Sequence, residues 1–177
     1  MNTELSCMLR SDVISLRKVE PKDLPFLYQW ENDCETWEYS NTHNPLSQKD
    51  LRDYIESSSG DIYKDSQLRL VIESAMPDSL HCTLGCIDLF DFDPHNKKAA
   101  VGIYLSKDWR RKGLGKETVC LIEQYAFSYL KLHMLYAFVA EQNTASMRLF
   151  SACKWQQTAT LPKWLNSGNV IVFQKIF

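Results

Sequence analysis

Apolar and polar positions alternate with a period of two over residues 13–19, where Ile14 and Leu16 flank Ser15 and lead into Arg17, and this predicts a half-buried first strand. Pro21 then opens a helix through Trp30, with Leu24, Leu27 and Tyr28 on one stripe and Pro25 inside the first turn. Ser47 is a suitable N-cap for a second helix to Ser57, in which Leu51, Tyr54 and Ile55 recur at three and four. Alternation returns over 67–73 with Leu68, Leu70 and Ile72. Residues 84–92 and 98–105 then read as a hairpin across Asp93, Pro94, His95 and Asn96. Leu114, Leu121, Ile122, Tyr125 and Tyr129 share one face of a long helix. Residues 134–140 are apolar on both faces, as a covered central strand must be. Asn143 caps a last helix carrying Leu149 and Cys153, and 155–160 pairs with 170–177 across 166–169. The pattern predicts an α+β fold with a mixed, mostly antiparallel central sheet flanked by helices. With no repeat or linker in the chain, residues 13–177 read as one domain after an N-terminal extension, 1–12.

Composition narrows the field. The chain has 177 residues, 45% of them hydrophobic, and a net charge of −2, enough for one substantial core and too little cationic surplus for wholesale nucleic-acid or anionic-membrane binding. The first ten residues lack an apolar leader region, and no apolar run approaches the roughly 20 residues of a membrane span, so a cytoplasmic location is expected. Six cysteines are present at 7, 34, 82, 86, 120 and 153 without a Cys-x-x-Cys pair. Cys82 and Cys86 lie two pleat repeats apart, while Cys120 and Cys153 fall on apolar helical faces, which favours buried free thiols. His43, His81, His95 and His133 lack ligand spacing, and no metal is expected.

The chemistry concentrates in Arg110-Arg111-Lys112-Gly113-Leu114-Gly115-Lys116, a cationic turn that opens directly into a helix. Glycines let the backbone turn tightly and approach a phosphate, and the unpaired N–H groups and dipole of a helix start favour an anion. A Walker A loop fails because Arg110 and Glu117 stand where glycine and Ser or Thr are needed. A dinucleotide fingerprint fails at Thr118.

What remains is Arg-x-x-Gly-x-Gly, preceded by the strand Ala100 to Leu105 and followed by a helix, a second strand and Asn143-Thr144-Ala145-Ser146. In this order the chain resembles the GCN5-related N-acetyltransferase (GNAT) superfamily over about all of 13–177, and most of all its spermidine and ribosomal-protein N-terminal branch. The resemblance implies acetyl-CoA as co-substrate, with the backbone of Ile103, Tyr104 and Leu105 along the pantetheine arm and the acetyl carbonyl. Arg110, Arg111, Lys112, Gly113, Leu114, Gly115 and Lys116 would hold the pyrophosphate, and the Asn143 amide would contact the cofactor. The acceptor would be a small amine, a polyamine or a peptide N-terminus, and a homodimer is compatible with it. A non-catalytic acyl-CoA-binding module of the same fold is the alternative reading.

Two departures from the family pattern keep that alternative open. Many members carry Glu in the strand before the loop where this chain has Ala100, and Phe150 occupies the position of the usual Tyr acid. The replacement bases expected from the sequence are Asp88, on one pleat face of the preceding strand with Phe90, and Asp91, on the other. On the acceptor side, no Lys or Arg occurs between Asp23 and Gln48, whereas carboxylates interleave with aromatics. Glu31, Trp37, Glu38, Tyr39 and His43 are therefore the candidates for binding a cationic amine.

Overall fold

The computed structural model describes residues 8–37, 39, 44–76 and 82–177. Its centre is a seven-stranded sheet: β1 (Ile14–Lys18), β2 (Leu68–Ser74), β3 (Thr83–Asp93), β4 (Lys98–Leu105), β5 (Met134–Ala140), β6 (Gln156–Leu165) and β7 (Gly168–Ile176). The spatial order is β1-β2-β3-β4-β5-β7-β6, and every neighbouring pair is antiparallel except β4 with β5. The helices are α1 (Leu24–Glu31), α2 (Cys34–Trp37), α3 (Gln48–Ser57), α4 (Ile62–Asp65), α5 (Leu114–Gln124) and α6 (Thr144–Ala152). No helix among the described residues is long and apolar enough to cross a membrane.

Strand alternation divides the side chains between two faces. Leu70, Ile87, Leu89, Val101, Leu135, Ala137 and Phe173 face α5 and α6, where they form the main core with Val119, Ile122 and Phe150. The opposite face is covered more thinly. There Cys86 packs with Leu27, Trp30 and Leu51 of α1 and α3, and Tyr104 joins at the edge. Burial pushes the Cys86 thiol up to about 12, so it remains a neutral packing group.

Local signals account for most boundaries. Ser47 accepts from the Asp50 N–H at 3.1 Å while its own N–H donates to the Asp50 carboxylate at 2.9 Å, a reciprocal cap that starts α3. Pro21 opens a 3₁₀ turn, Pro21–Asp23, before α1 proper begins at Leu24. The four-residue helices α2 and α4 escape a period-based reading because a single turn cannot display a stripe, although Asp33 and Asp61 cap both.

Three expectations are corrected. The long helix widens into a π turn, Tyr125–Tyr129, which carries Tyr129 off the buried stripe to 49% exposure, stacked on Tyr125. Cys120 is exposed, because the buried stripe of α5 runs through Thr118, Val119, Leu121 and Ile122 instead. The closing hairpin turns at 166–167, and β6 runs on to Leu165 through Pro162, which an edge strand tolerates.

Candidate active site

β4 and β5 pair over only three residues, Lys98 to Ala100 against Met134 to Tyr136. Beyond that point β3 continues to accompany β4 as far as Leu105, and β7 accompanies β5 as far as Ala140. The two central strands therefore part after Ala100 and Tyr136, leaving a tapered opening in the middle of the sheet. Exposure follows the geometry, since Ala99 to Val101 are buried and Gly102 to Leu105 are half-buried. Along the open edge of β4, alternate backbone N–H and C=O groups lack a strand partner on the β5 side, as an extended ligand arm requires.

At the wide end stands the N-terminus of α5. Its N-cap is Gly113 at φ +82°, with no side-chain cap, so the first N–H groups of the helix remain available. An added Cβ on Gly113 meets nothing within 4 Å, whereas one on Gly115 meets Leu149 and Leu105 at 3.4–3.5 Å. Gly113 thus serves the turn and leaves open space in front of it. Gly115 lets the helix pack closely on β4 and α6. The Arg110 guanidinium donates to the Leu105 carbonyl at 2.8 Å and lies 5.6 Å over Tyr104, fastening the cationic turn to the strand end. Lys112 lies 4.5 Å over Trp109, and Arg111 occupies the left-handed region at φ +61°. Uncapped N–H groups, clear space and four cations, with Lys116 on the first turn, fit a pyrophosphate. Asn143 caps α6 by accepting from the Ser146 N–H at 3.1 Å.

The carboxylates expected on β3 are placed differently from one another. Asp88 faces Arg69 of β2, which donates from Nε at 2.7 Å and from Nη2 at 3.1 Å, while Nη1 reaches Glu31 of α1 at 2.5 Å. Arg69 was not singled out in the sequence, because it is one charge in an otherwise ordinary alternating strand. It brings together Asp88 and Glu31, a base candidate and an acceptor candidate, as its two counter-ions. Its pKa is raised well above the usual value despite burial, because both carboxylates outweigh the loss of solvent.

Asp91 sits at φ +49° in a bulge between Phe90 and Asp93, where the register with β4 shifts. Its carboxylate accepts the Tyr136 hydroxyl hydrogen bond. Tyr136 is opposite Ala100, and Ala100 opposite Phe90, so Tyr136 shares the face of Asp88 and Phe90. The expectation that Asp88 and Asp91 serve opposite faces is therefore corrected: the extra residue of the bulge returns Asp91 to the Asp88 face. Burial first, and Asp91 second, raise the Tyr136 pKa.

The acidic segment is less acidic than its own sequence. Glu31 is paired with Arg69, and Glu35 reaches Lys107 at 2.8 Å, so distant cations fold onto it. The Trp37 indole donates to the Glu31 carbonyl at 2.7 Å, and Tyr39 is 43% exposed. Glu38 and His43 lie outside the described residues. Among the described residues no group of three or more His, Cys, Asp or Glu side chains could hold a metal ion.

Residues 14–156 match the acetyltransferase (GNAT) domain family. The chain belongs to that family. It is an N-acetyltransferase by membership, and acetyl-CoA is the family's donor. It is 26% identical to the uncharacterized N-acetyltransferase p20 of Bacillus licheniformis, over 86% of this chain and 84% of that protein. It is 23% identical to the spermidine N(1)-acetyltransferase of Vibrio cholerae over 79% of this chain and 77% of that one. Among solved structures, the Vibrio cholerae spermidine N-acetyltransferase in complex with CoA and spermine superposes with a TM-score of 0.79 at 21% identity, covering 92% and 95% of the two chains. The ribosomal L7/L12 protein acetyltransferase RimL, in complex with coenzyme A, gives the same TM-score at 16% identity, covering 94% of this chain and 96% of its own. At these identities the structural likenesses fix the fold of the acetyltransferase, not its acceptor.

Proposed function

We propose that this acetyltransferase moves the acetyl group of acetyl-CoA directly onto a primary amine, carried by a small amine, a polyamine or a peptide N-terminus. The observation that carries the reading is the opening between β4 and β5, which leads from the uncapped start of α5 into the centre of the sheet. Acetyl-CoA supplies an acetyl group already activated as a thioester. Arg110, Arg111, Lys112 and Lys116, with the backbone of 113–115, hold the pyrophosphate, and the Asn143 amide supports the cofactor beside them. The free edge of β4 at Ile103, Tyr104 and Leu105 aligns the pantetheine arm and directs N–H groups at the carbonyl oxygen, where negative charge develops.

The acceptor enters from the face that carries α1 and α2, bordered by Glu31, Trp37 and Tyr39, with Glu38 and His43, outside the described residues, as the further candidates from the sequence. Indole and phenol faces suit an ammonium group through cation–π attraction. Alignment of amine and thioester within the opening contributes on the order of 7 to 11 kcal/mol of barrier lowering without any side-chain acid or base. Release of free thiol from acetyl-CoA across a panel of monoamines, polyamines and N-terminal peptides tests the reading. Turnover with at least one class of amine is expected. Coenzyme A binding without turnover on any of them would overturn it in favour of a binding module.

A further inference from the structure

We infer that Asp91 and Tyr136 act together as the proton acceptor for the incoming amine, Asp91 holding the charge and Tyr136 touching the substrate. The inference rests on the acetyl-transfer reading above and names the group that serves it. Its ground is position. The β4–β5 ladder ends at the pair Ala100 and Tyr136, so Tyr136 stands at the apex of the opening, and across from it Ala100 offers only a methyl group. From this apex to Leu105, the end of β4 to which Arg110 is fastened, is about 17 Å of strand at ~3.3 Å per residue. An extended arm that starts at α5 and follows β4 therefore comes to its end near Tyr136.

The competing carboxylate is already engaged. Arg69 takes both oxygens of Asp88, and Gln67 lies 3.4 Å from Oδ1. Asp91 is exposed and accepts the hydrogen bond of the Tyr136 hydroxyl, and Tyr136 itself is 7% exposed. Because that hydroxyl donates its hydrogen to Asp91, the oxygen keeps a lone pair for an N–H of the substrate. The surroundings suit a cation that must lose a proton. Phe138 stands edge-on to Tyr136 at 5.6 Å and is 51% exposed on the same face, and Phe90 is 37% exposed beside it. Among the described residues, Asp93 of β3 and Lys98 of β4 are the charged groups that face the pair, the Lys98 ammonium lying 6.0 Å over the Tyr136 ring.

The step balances as follows. Tyr136 Oη accepts one proton from the ammonium nitrogen as its own proton passes to Asp91, leaving a neutral amine and a carboxylic acid. The nitrogen lone pair forms the bond to the acetyl carbon, the C–S bond electrons leave with sulfur, and the second N–H proton ends on that sulfur. Asp91 returns its proton to water through Tyr136.

The backbone makes the test clean, because Asn tolerates the left-handed region about as well as Asp and Asp91→Asn keeps the bulge. Asp91→Asn should lower kcat/KM by roughly 10²-fold or more and remove the acidic limb of its pH profile, with coenzyme A affinity unchanged. Tyr136→Phe should lower kcat/KM as well, again with coenzyme A affinity unchanged. A second readout needs no substrate: in ultraviolet titration of the protein alone, one fewer tyrosine should titrate above the ordinary phenol range in Tyr136→Phe, and that tyrosine should titrate lower in Asp91→Asn. Wild-type kcat/KM and pH profile in both variants would overturn the pair while leaving acetyl transfer standing. Equal loss of coenzyme A affinity and turnover would overturn it too, by showing a packing role. A wild-type protein inactive on every amine would remove the reading on which the pair depends.

Discussion

Arg69 and Asp88 are register partners on β2 and β3, and the guanidinium holds both oxygens of the carboxylate while its remaining nitrogen reaches Glu31 of α1. A charged clamp therefore ties α1 to the sheet. Its removal leaves two carboxylates in a half-buried site without a cation.

Arg69→Ala should consequently destabilise the fold by about 3 to 5 kcal/mol, the usual cost of stripping one partner from a buried ion pair. Arg69→Met, of similar length, should cost nearly as much, because the lost charge and not the lost volume decides. Urea unfolding with an unchanged m-value checks both. A cost under about 1 kcal/mol for Arg69→Met would show that the carboxylates escape to water.

Arg17 makes a comparable clamp with Asp23, donating at 2.7 and 2.8 Å, and Glu20 adds a backbone N–H. Burial works against the Asp23 charge, but these hydrogen bonds outweigh it and hold its pKa below the ordinary value. With a lowered folded value, the stabilisation is complete above the unfolded pKa of about 3.9 and is lost as pH falls through the folded one. Asp23→Asn should cost about 3 kcal/mol at pH 7. The gap from wild type should narrow below about pH 4, read from urea midpoints at pH 7 and pH 2.5. A gap of equal size at both values would place the effect in packing.

For the cofactor cradle, acetyl-CoA at a hundredfold excess over its dissociation constant should stabilise the protein by roughly 2.7 kcal/mol. Arg110→Glu should abolish that shift by reversing the charge at the turn. Gly113→Val should do so through its β-branched side chain at φ +82°, a conformation that such residues adopt only under strain. Calorimetric titration with wild-type affinity in Gly113→Val would place the pyrophosphate elsewhere.

Phe150 lies 3% exposed between Trp155 at 4.7 Å and Phe173 at 5.8 Å. Phe150→Ala should therefore cost about 3 to 5 kcal/mol through the cavity it leaves. Phe150→Tyr must bury a hydroxyl in the same core, at a cost of about 1 to 3 kcal/mol if it finds no partner. Thermal unfolding and turnover measured together check this. Full stability in Phe150→Tyr, with faster turnover, would mean the hydroxyl reaches the opening.

On the acceptor side, multiply charged amines should be acetylated faster than monoamines if the aromatics and remaining carboxylates form a cation site, with the preference fading as salt rises. Because Glu31 and Glu35 are already paired, the preference should be modest. Trp37→Ala should raise the acceptor KM without changing coenzyme A affinity. Rates indifferent to amine charge and salt would favour a peptide N-terminus.

The sequence by itself determined the elements whose causes lie within a few residues of them. Period-two alternation marked β1 and β2, the turn residues 93–96 marked the hairpin of β3 and β4, Ser47 and Asn143 marked the starts of α3 and α6, and the glycine-spaced cationic turn marked the start of α5. Tertiary structure alone decided what those elements do to one another. Nothing local to residues 98–105 or 134–140 states that their ladder stops after three pairs and opens there. Nothing local to Asp88 names Arg69, nineteen positions earlier, as its captor. The bulge that turns Asp91 back toward Tyr136, forty-five positions away, breaks the very alternation from which its face was read. Periodicity and capping are short-range, set by backbone geometry within a turn or a pleat. Strand pairing, charge capture and the end of a ladder are long-range, set by which surfaces the whole core brings together.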